Sequence, residues 1–185
     1  MKITPTSLPE VLLIEPQRFG DARGYFLETF RTERYEEAGI KLPFVQDNLS
    51  RSSRGILRGL HLQNPNGQGK LVYVLAGEVF DVAVDVRVGS PNFGKWTGAV
   101  LSAEDHRQLW IPPGFAHGFV VTSDTALFTY KCTAAYSVSD ELGLIWNDPA
   151  IGIPWPVVDP KLSGKDAALP RLADLDKARL PRYQG

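Results

Sequence analysis

The chain contains 185 residues, a length that favours a single domain over residues 1–185 with one substantial core. Its 20 lysines and arginines almost balance its 21 aspartates and glutamates. The surface as a whole therefore has no net field that would attract nucleic acid or an anionic membrane. We expect neither partner, and any anionic ligand has to be bound by a local group of cations.

The only cysteine, Cys132, cannot form a disulfide within the chain. Residues 1–20 contain no apolar stretch long enough for a signal peptide, and no apolar run approaches the roughly 20 residues that span a bilayer. These features predict a soluble protein with the cytoplasm as its location.

Between Leu71 and Lys131 the sequence is typical of successive short strands. In the clearest one, from Phe80 to Val88, valines alternate with polar or small residues, and this period of two predicts a half-buried strand. The pattern predicts a mainly β protein, built as an antiparallel sandwich or barrel. Turn signals separate the strands at Ala76-Gly77-Glu78, Gly89-Ser90-Pro91-Asn92, Ala103-Glu104-Asp105 and Ser123-Asp124.

Helical patterns are few and peripheral. A short helix capped by Thr32 is expected over residues 32–37, and a weaker helical pattern covers residues 172–180. The proline-rich segment 148–160 cannot continue a β ladder, so it is either an ordered strap over the barrel or a linker to the C-terminal helix. Residues 148–185 are accordingly predicted to form a strap with a short helix.

The segment Gly55-Ile56-Leu57-Arg58-Gly59-Leu60-His61-Leu62-Gln63, followed by Lys70 and Gly77, resembles in its spacing the first metal-binding motif of the cupins. Gln63 stands where the second histidine of that motif would be, and Lys70 stands where its carboxylate would be. An ammonium has three donors and no lone pair, so it repels a divalent cation. The resemblance implies a cupin jelly roll that binds no metal at this position.

The segment Pro112-Pro113-Gly114-Phe115-Ala116-His117 resembles the second cupin motif. It brings His117 towards His61, but no credible third and fourth metal ligand accompanies them, since zinc or iron needs three or four N, O or S donors. We therefore expect a metal-free site.

Such a site suits proton abstraction beside a carbonyl group. A neutral imidazole, His61, can accept a proton, and the ammonium of Lys70 can stabilise the negative oxygen of an enolate. Tyr130 shares a strand face with Ala126 and Phe128, so its phenol is expected to point inwards as a second proton carrier.

Several motifs together resemble the dTDP-4-dehydrorhamnose 3,5-epimerase family, over about residues 3–170. Besides Gly55–His61, they are Phe19-Gly20-Asp21-Ala22-Arg23-Gly24-Tyr25-Phe26-Leu27-Glu28, Gln46-Asp47-Asn48, Gln68-Gly69-Lys70-Leu71-Val72, Gly77 to Pro91 and Ile111 to Phe119.

The resemblance implies inversion of both carbons that flank the keto group of dTDP-4-dehydro-6-deoxyglucose, without a cofactor, on the way to dTDP-L-rhamnose. It implies that His61 is the base, that Tyr130 is the acid on the opposite ring face, and that Lys70 stabilises the enolate. Asp166 resembles the carboxylate that pairs with the histidine, fixing its tautomer and raising its basicity.

The resemblance also assigns the contacts to the nucleotide sugar, and the cations among them suit a diphosphate. These contacts are Arg23, Phe26, Glu28, Gln46, Asp47, Asn48, Arg58, His117, Glu141 and Lys165, with Trp146 as a further wall. Members of the family are homodimers whose N-terminal strands join the partner's sheet, and the stretch from Ile3 to Ile14 is apolar enough to do so.

Two residue assignments stay open at the level of sequence. Tyr136 is a rival to Tyr130 as the acid. Simple alternation places Arg58 on the opposite strand face from His61, so either Gly59 forms a bulge or Arg58 serves a subunit interface.

Three other functions also fit parts of the pattern. One is a relative that inverts only one carbon, which would need the same base. Another is a metal-dependent cupin isomerase or dioxygenase, against which Lys70 and Gln63 argue. The third is a cupin that binds a sugar nucleotide without catalysis.

Overall fold

A computed structural model describes residues 1–184 as two antiparallel sheets packed face to face. The predicted mainly β, cupin-like architecture is confirmed. In chain order the strands are β1 (Lys2–Pro5), β2 (Leu12–Glu15), β3 (Arg18–Asp21), β4 (Gly24–Leu27), β5 (Gln46–Ser53), β6 (Leu57–Gln63), β7 (Lys70–Ala76), β8 (Glu78–Asp85), β9 (Trp96–Ser102), β10 (Gln108–Ile111), β11 (Phe115–Val121), β12 (Thr125–Cys132) and β13 (Glu141–Gly143).

One sheet has six strands in the order β1-β2-β10-β7-β12-β5, and the other has five in the order β13-β6-β11-β8-β9. From β5 to β8, and again from β9 to β13, consecutive strands therefore alternate between the sheets, as in a jelly roll. The four predicted turn segments each connect two consecutive strands. Apolar side chains from both inner faces, including Val72, Ala83, Phe119 and Phe128, form the core between the sheets.

The half-buried prediction for the strand around Val82 is wrong, because β8 is buried on both faces. Val82 and Val84 point away from the other sheet, where they pack against Ile151, Leu172 and Leu180 of the C-terminal segment. The side chains that alternate with these valines face the interior. The sequence pattern is that of a strand with one wet face, but the C-terminal segment covers that face.

The proline-rich segment is an ordered strap over the outer face of the five-stranded sheet, as one of the two interpretations predicted. The Trp155 ring packs edge-on against Phe80 with centroids 5.9 Å apart. The helix predicted over residues 172–180 is wrong in extent, because only Leu172–Asp174 forms a 3₁₀ turn and Leu180 is held by apolar burial instead.

The remaining helices of residues 1–184 are short: α1 (Thr32–Glu37), α2 (Gly164–Ala167) and a 3₁₀ turn at Val138–Asp140. The position of α1 agrees with the prediction, but Thr32 lies inside the helix and Arg31 occupies the N-cap without a side-chain bond. In residues 1–184, no helix combines the length and the apolar composition needed to cross a bilayer.

The hairpin of β3 and β4 forms a separate two-stranded sheet that stands away from the sandwich. Its side chains Phe19, Tyr25 and Phe26 are 56%, 56% and 70% exposed. The Tyr25 ring lies 4.7 Å from the ring of His106. Strands β1 and β2, by contrast, pair within the chain's own six-stranded sheet.

Candidate active site

His61, Lys70 and Tyr130 line two neighbouring cavities inside the sandwich, of about 470 and 210 Å³. His61 lies on the five-stranded sheet, whereas Lys70 and Tyr130 lie on adjacent strands of the six-stranded sheet. The imidazole and the phenol therefore enter the shared space from opposite walls.

The His61 imidazole is paired with a buried carboxylate. Nε2 of His61 lies 2.6 Å from Oδ1 of Asp166, which is 4% exposed. A carboxylate at Nε2 fixes the Nε2–H tautomer, which leaves the Nδ1 lone pair free to accept a proton. Burial lowers the pKa of His61, while the charge and the hydrogen bond of Asp166 oppose that shift.

The short helix α2 positions Asp166 for this contact. Ser163 Oγ accepts a hydrogen bond from the Asp166 backbone N–H at 3.0 Å and so caps the helix. The segment before it is bound to β6, because Leu57 donates its N–H to Lys161 and Lys161 donates to Gly55. The C-terminal segment thus places the carboxylate of Asp166 beside Nε2 of His61.

Lys70 begins β7, and its side chain is only 8% exposed. Within residues 1–184 its ammonium makes one hydrogen bond, to the backbone oxygen of His61 at 3.5 Å. Burial lowers the pKa of Lys70, and the nearby Cys132, Asp81 and Glu141 oppose that shift. An ammonium with unused donors beside an imidazole can stabilise negative charge that develops on a ligand oxygen.

The two candidate tyrosines occupy different positions. Tyr130 packs against the core with its phenol lining both cavities, and burial raises its pKa, so it stays protonated. Tyr136 is 52% exposed and its hydroxyl donates to Glu141 Oε2 at 2.8 Å. Tyr130 thus lines both cavities with His61, whereas Tyr136 lines only the smaller one.

Arg58 lies in the larger cavity because β6 contains a bulge. His61 pairs with His117, whereas Arg58 pairs with Phe119, so three steps along β6 correspond to two along β11. Arg58 Nε donates to Ser52 Oγ at 3.1 Å. The bulge interpretation is therefore confirmed over regular alternation.

His117 lines the same cavity and forms a second pair with a carboxylate. Its Nε2 lies 2.9 Å from Oδ2 of Asp81, which is completely buried. Sequence reasoning missed Asp81, since its place in the alternating pattern of β8 predicts exposure to water.

Hydrogen bonds connect the residues at the rim of the smaller cavity. Gln46 Nε2 donates to Asn48 Oδ1 at 3.0 Å, and Gln46 Oε1 accepts from the Tyr136 backbone N–H at 2.8 Å. Glu141 Oε2 accepts from the Tyr136 hydroxyl and, at 2.5 Å, from Lys165 Nζ. Three of the predicted contacts, Gln46, Asn48 and Glu141, thus line the smaller cavity with Tyr136, and Lys165, which lines the larger cavity, is bound to Glu141.

Gln63 and Gln68, whose roles no sequence signal indicates, hold the segment that carries Tyr136. Gln63 Nε2 donates to the backbone oxygens of Asn66 and Ala135, and its Oε1 accepts from the Ser137 N–H at 2.9 Å. Gln68 Nε2 donates to the Ala134 oxygen.

No three His, Cys, Asp or Glu side chains of residues 1–184 are grouped so that they could hold a metal ion.

The single chain does not bring the other predicted contacts to these cavities. Asp47 points to the outer side of β5, where it forms an ion pair with Lys131 at 3.0 Å. Glu28 pairs with Arg34 at 3.2 Å, and Arg23 and Phe26 lie on the protruding hairpin. The predicted wall Trp146 lies elsewhere too, in a groove on the strap beside Trp155.

Comparison with known proteins identifies the family. A family model described as dTDP-4-dehydrorhamnose 3,5-epimerase matches residues 5–174. The chain is 55% identical over 178 residues to the Shigella flexneri protein of that name, covering 95% of this chain and 98% of the relative. It is 57% identical over 181 residues to the Neisseria gonorrhoeae protein of that name; this alignment covers 97% of the chain but only 55% of that longer relative.

Solved structures agree. A crystal structure of a dTDP-6-deoxy-D-glucose-3,5-epimerase from Legionella pneumophila, in complex with dTDP-4-keto-L-rhamnose, superposes with a TM-score of 0.97 and 54% identity, covering 100% of this chain and 99% of the other. A 3'-monoepimerase from Streptomyces bikiniensis, in complex with dTDP-quinovose, gives 0.91 and 36%, covering 97% and 93%. The chain therefore belongs to the dTDP-4-dehydrorhamnose 3,5-epimerase family of isomerases.

Proposed function

We propose that this protein inverts both carbons flanking the keto group of dTDP-4-dehydro-6-deoxy-D-glucose and releases dTDP-4-dehydro-L-rhamnose. The observation that carries the proposal is the position of His61 and Tyr130, which line one cavity from opposite sheets. A sugar ring between them presents one face to the imidazole and the other to the phenol. Removing a proton at one face and returning one at the other inverts the carbon.

In the first step Nδ1 of His61 takes the proton from a carbon beside the keto group. The Nε2–H bond to Asp166 keeps this nitrogen unprotonated beforehand and stabilises the imidazolium afterwards. The electron pair of the broken C–H bond moves onto the keto oxygen, which becomes an enolate.

The ammonium of Lys70 lies where it can donate to that enolate oxygen. It is buried and retains donors beyond its bond to the His61 carbonyl, so little solvent competes for it. Tyr130 then gives its phenolic proton to the same carbon from the opposite face. Water restores the starting protonation states of both residues before the second carbon reacts, and no metal or organic cofactor takes part.

Residues around the cavities are suited to the nucleotide diphosphate. Arg58 and Lys165 both line the larger cavity and supply positive charge to it, and Arg58 can hold two phosphate oxygens at once. Gln46, Asn48 and Glu141 supply polar groups at the rim. The half-exposed ring of Tyr136 offers an apolar face to a base.

We further propose that the active form is a homodimer. Three large aromatic side chains on one protruding hairpin are more than half exposed, which is typical of a surface that binds a protein partner. Arg23 and Phe26 lie on the same hairpin, so an exchange of hairpins would bring them to the other subunit's cavity.

The decisive experiment follows deuterium during turnover. The purified protein is incubated with dTDP-4-dehydro-6-deoxyglucose in deuterated water, and the sugar is observed by NMR. We expect deuterium at both carbons beside the keto group and formation of the L-rhamno product. Binding of the nucleotide sugar without any exchange would reject catalysis in favour of a binding cupin, and loss of activity on chelation would favour a metal-dependent one.

Inversion of one carbon only is the second candidate. It is favoured by the similarity to the Streptomyces bikiniensis 3'-monoepimerase, which has 36% identity and a TM-score of 0.91. In the same experiment, inversion and stable deuterium at a single carbon would support this alternative.

A further inference from the structure

Asp81 is a buried carboxylate that belongs to none of the motifs of the site. It lies on the inward face of β8 with no exposed surface, and Oδ2 contacts His117 Nε2 at 2.9 Å. Its second oxygen, Oδ1, is buried without a hydrogen-bond partner among residues 1–184. A carboxylate in such a place costs free energy of folding, so its presence calls for a role beyond packing.

Asp81 lies close enough to Lys70 for each charge to affect the other. Burial raises the pKa of Asp81, while His117 and Lys70 lower it. Burial also lowers the pKa of Lys70, and Asp81 is among the groups that counteract this. The two buried charges of opposite sign thus favour each other's ionised form, although they form no direct ion pair.

The imidazole of His117 is firmly held. His117 is 7% exposed and stacks on Phe128 with centroids 6.1 Å apart and an interplanar angle of 17°. It lies directly opposite His61 in the β6–β11 ladder. Two histidine and carboxylate pairs therefore flank one cavity.

We propose that Asp81 is a positioning residue of the epimerase site, which orients His117 through Nε2 and places a buried negative charge near Lys70. This inference rests on the proposed function. The Nε2–H of His117 donates to Asp81, so Nδ1 remains an acceptor that faces the cavity and can bind a sugar hydroxyl. Asp81 itself touches neither the substrate nor the reacting carbon.

The tautomer of His117 tests the orientation without any turnover. The chain has three histidines, so their ring nitrogens can be resolved by two-bond proton–nitrogen NMR and assigned with His106→Asn and His117→Asn. We expect the ring proton of His117 on Nε2, the nitrogen that contacts Asp81. In Asp81→Ala that preference should be lost, whereas Asp81→Asn, which keeps an oxygen acceptor, should retain it. An Nδ1–H tautomer in the unmodified protein would overturn the proposal.

The turnover number kcat tests the role of the negative charge of Asp81. Asp81→Asn should lower kcat by about 10–100-fold while the Kd for dTDP changes less than about threefold, because the variant keeps the acceptor for His117 but removes the buried negative charge near Lys70. Asp85→Asn is the matched control, since Asp85 is equally buried on the same face of the same strand but bonds to Arg87 and Ser90. That control should lose stability and retain kcat.

The outcomes separate this inference from the proposed function. If Asp81→Asn and Asp85→Asn lower kcat equally per folded molecule, Asp81 has only a structural role. If the unmodified protein does not exchange substrate protons, the proposed function fails, while the tautomer measurement still decides whether Asp81 orients His117.

Discussion

Arg58 and His61 project into the same cavity although an odd number of steps separates them on one strand. A regular strand would place them on opposite faces. The bulge at Gly59 and Leu60 adds one residue to β6 relative to β11 and re-aims the guanidinium. The cationic end of the site and its base therefore depend on one local irregularity of the backbone.

Gly59→Ala should destroy this arrangement. Gly59 has a φ of +120°, and an added Cβ would lie 2.7 Å from both Gly118 Cα and the His117 oxygen. We expect a loss of about 2–4 kcal/mol in the free energy of unfolding, measured by urea titration, from strain and overpacking together. Gly55→Ala is the control, since its φ is +78° with nothing near an added Cβ, and it should cost only about 1 kcal/mol. Equal losses would contradict a steric requirement at Gly59.

His61→Asn should abolish both product formation and deuterium exchange, because the variant lacks the imidazole that removes the carbon-bound proton in the proposed mechanism. A positioned base contributes about 10²–10⁴-fold, so kcat should fall by at least that factor. His106→Asn, at a histidine outside both cavities, should leave turnover unchanged. Exchange at the normal rate in His61→Asn would refute its role as the base.

Tyr130→Phe should separate proton removal from proton return. The variant keeps His61 and Lys70, so deuterium still enters the substrate while the epimerised product falls by about 10²-fold or more. Tyr136→Phe removes the rival hydroxyl, which is bound to Glu141 at the rim, and should retain epimerisation. An equal loss of exchange and product in Tyr130→Phe would count against its role as the acid.

The pH dependence of kcat should be bell-shaped. His61 must be neutral to accept a proton, and burial lowers its pKa, so activity should persist in mildly acidic solution and fall only below that pKa. Lys70 must be charged, and burial lowers its pKa, so activity should fall with rising pH earlier than an ordinary lysine would require. Tyr130 cannot set this alkaline limb, because burial raises its pKa. In Lys70→Arg the remaining activity should extend to higher pH; an unmoved limb would exclude Lys70 as its origin.

Mixing two inactive variants tests whether the hairpin serves the other subunit. Arg23→Ala keeps His61, and His61→Asn keeps the hairpin cation, so a mixed dimer would contain one complete site. Random reassortment should restore roughly a quarter of the normal activity if each site uses the partner's hairpin. His61 and Tyr130 line the same cavity of one chain. Mixing His61→Asn with Tyr130→Phe should therefore restore no activity. No recovery in the first mixture, with dimers present by light scattering, would place Arg23 outside the partner's site.

Local sequence patterns were sufficient for the strands between Leu71 and Lys131, for their turns and for the principal motif. Alternation identifies strands because successive side chains of a strand point to opposite faces, and Gly-rich turn segments break it where the chain reverses. The motif with Lys70 in place of a carboxylate likewise lies on two neighbouring segments, so its spacing can be recognised from the sequence without the tertiary structure.

The tertiary structure decided what depends on distant parts of the chain. The alternating pattern of β8 predicts that Asp81 faces solvent. In the structure the C-terminal strap covers the valine face of β8, and the opposing sheet encloses the carboxylate of Asp81. Regular alternation predicts that Arg58 faces away from His61, but the pairing of β6 with β11 contains a bulge that places both on one face. Asp166 reaches His61 across 105 positions of sequence. Burial, register and such long-range contacts are properties of the packed chain, so no periodicity within a single segment encodes them.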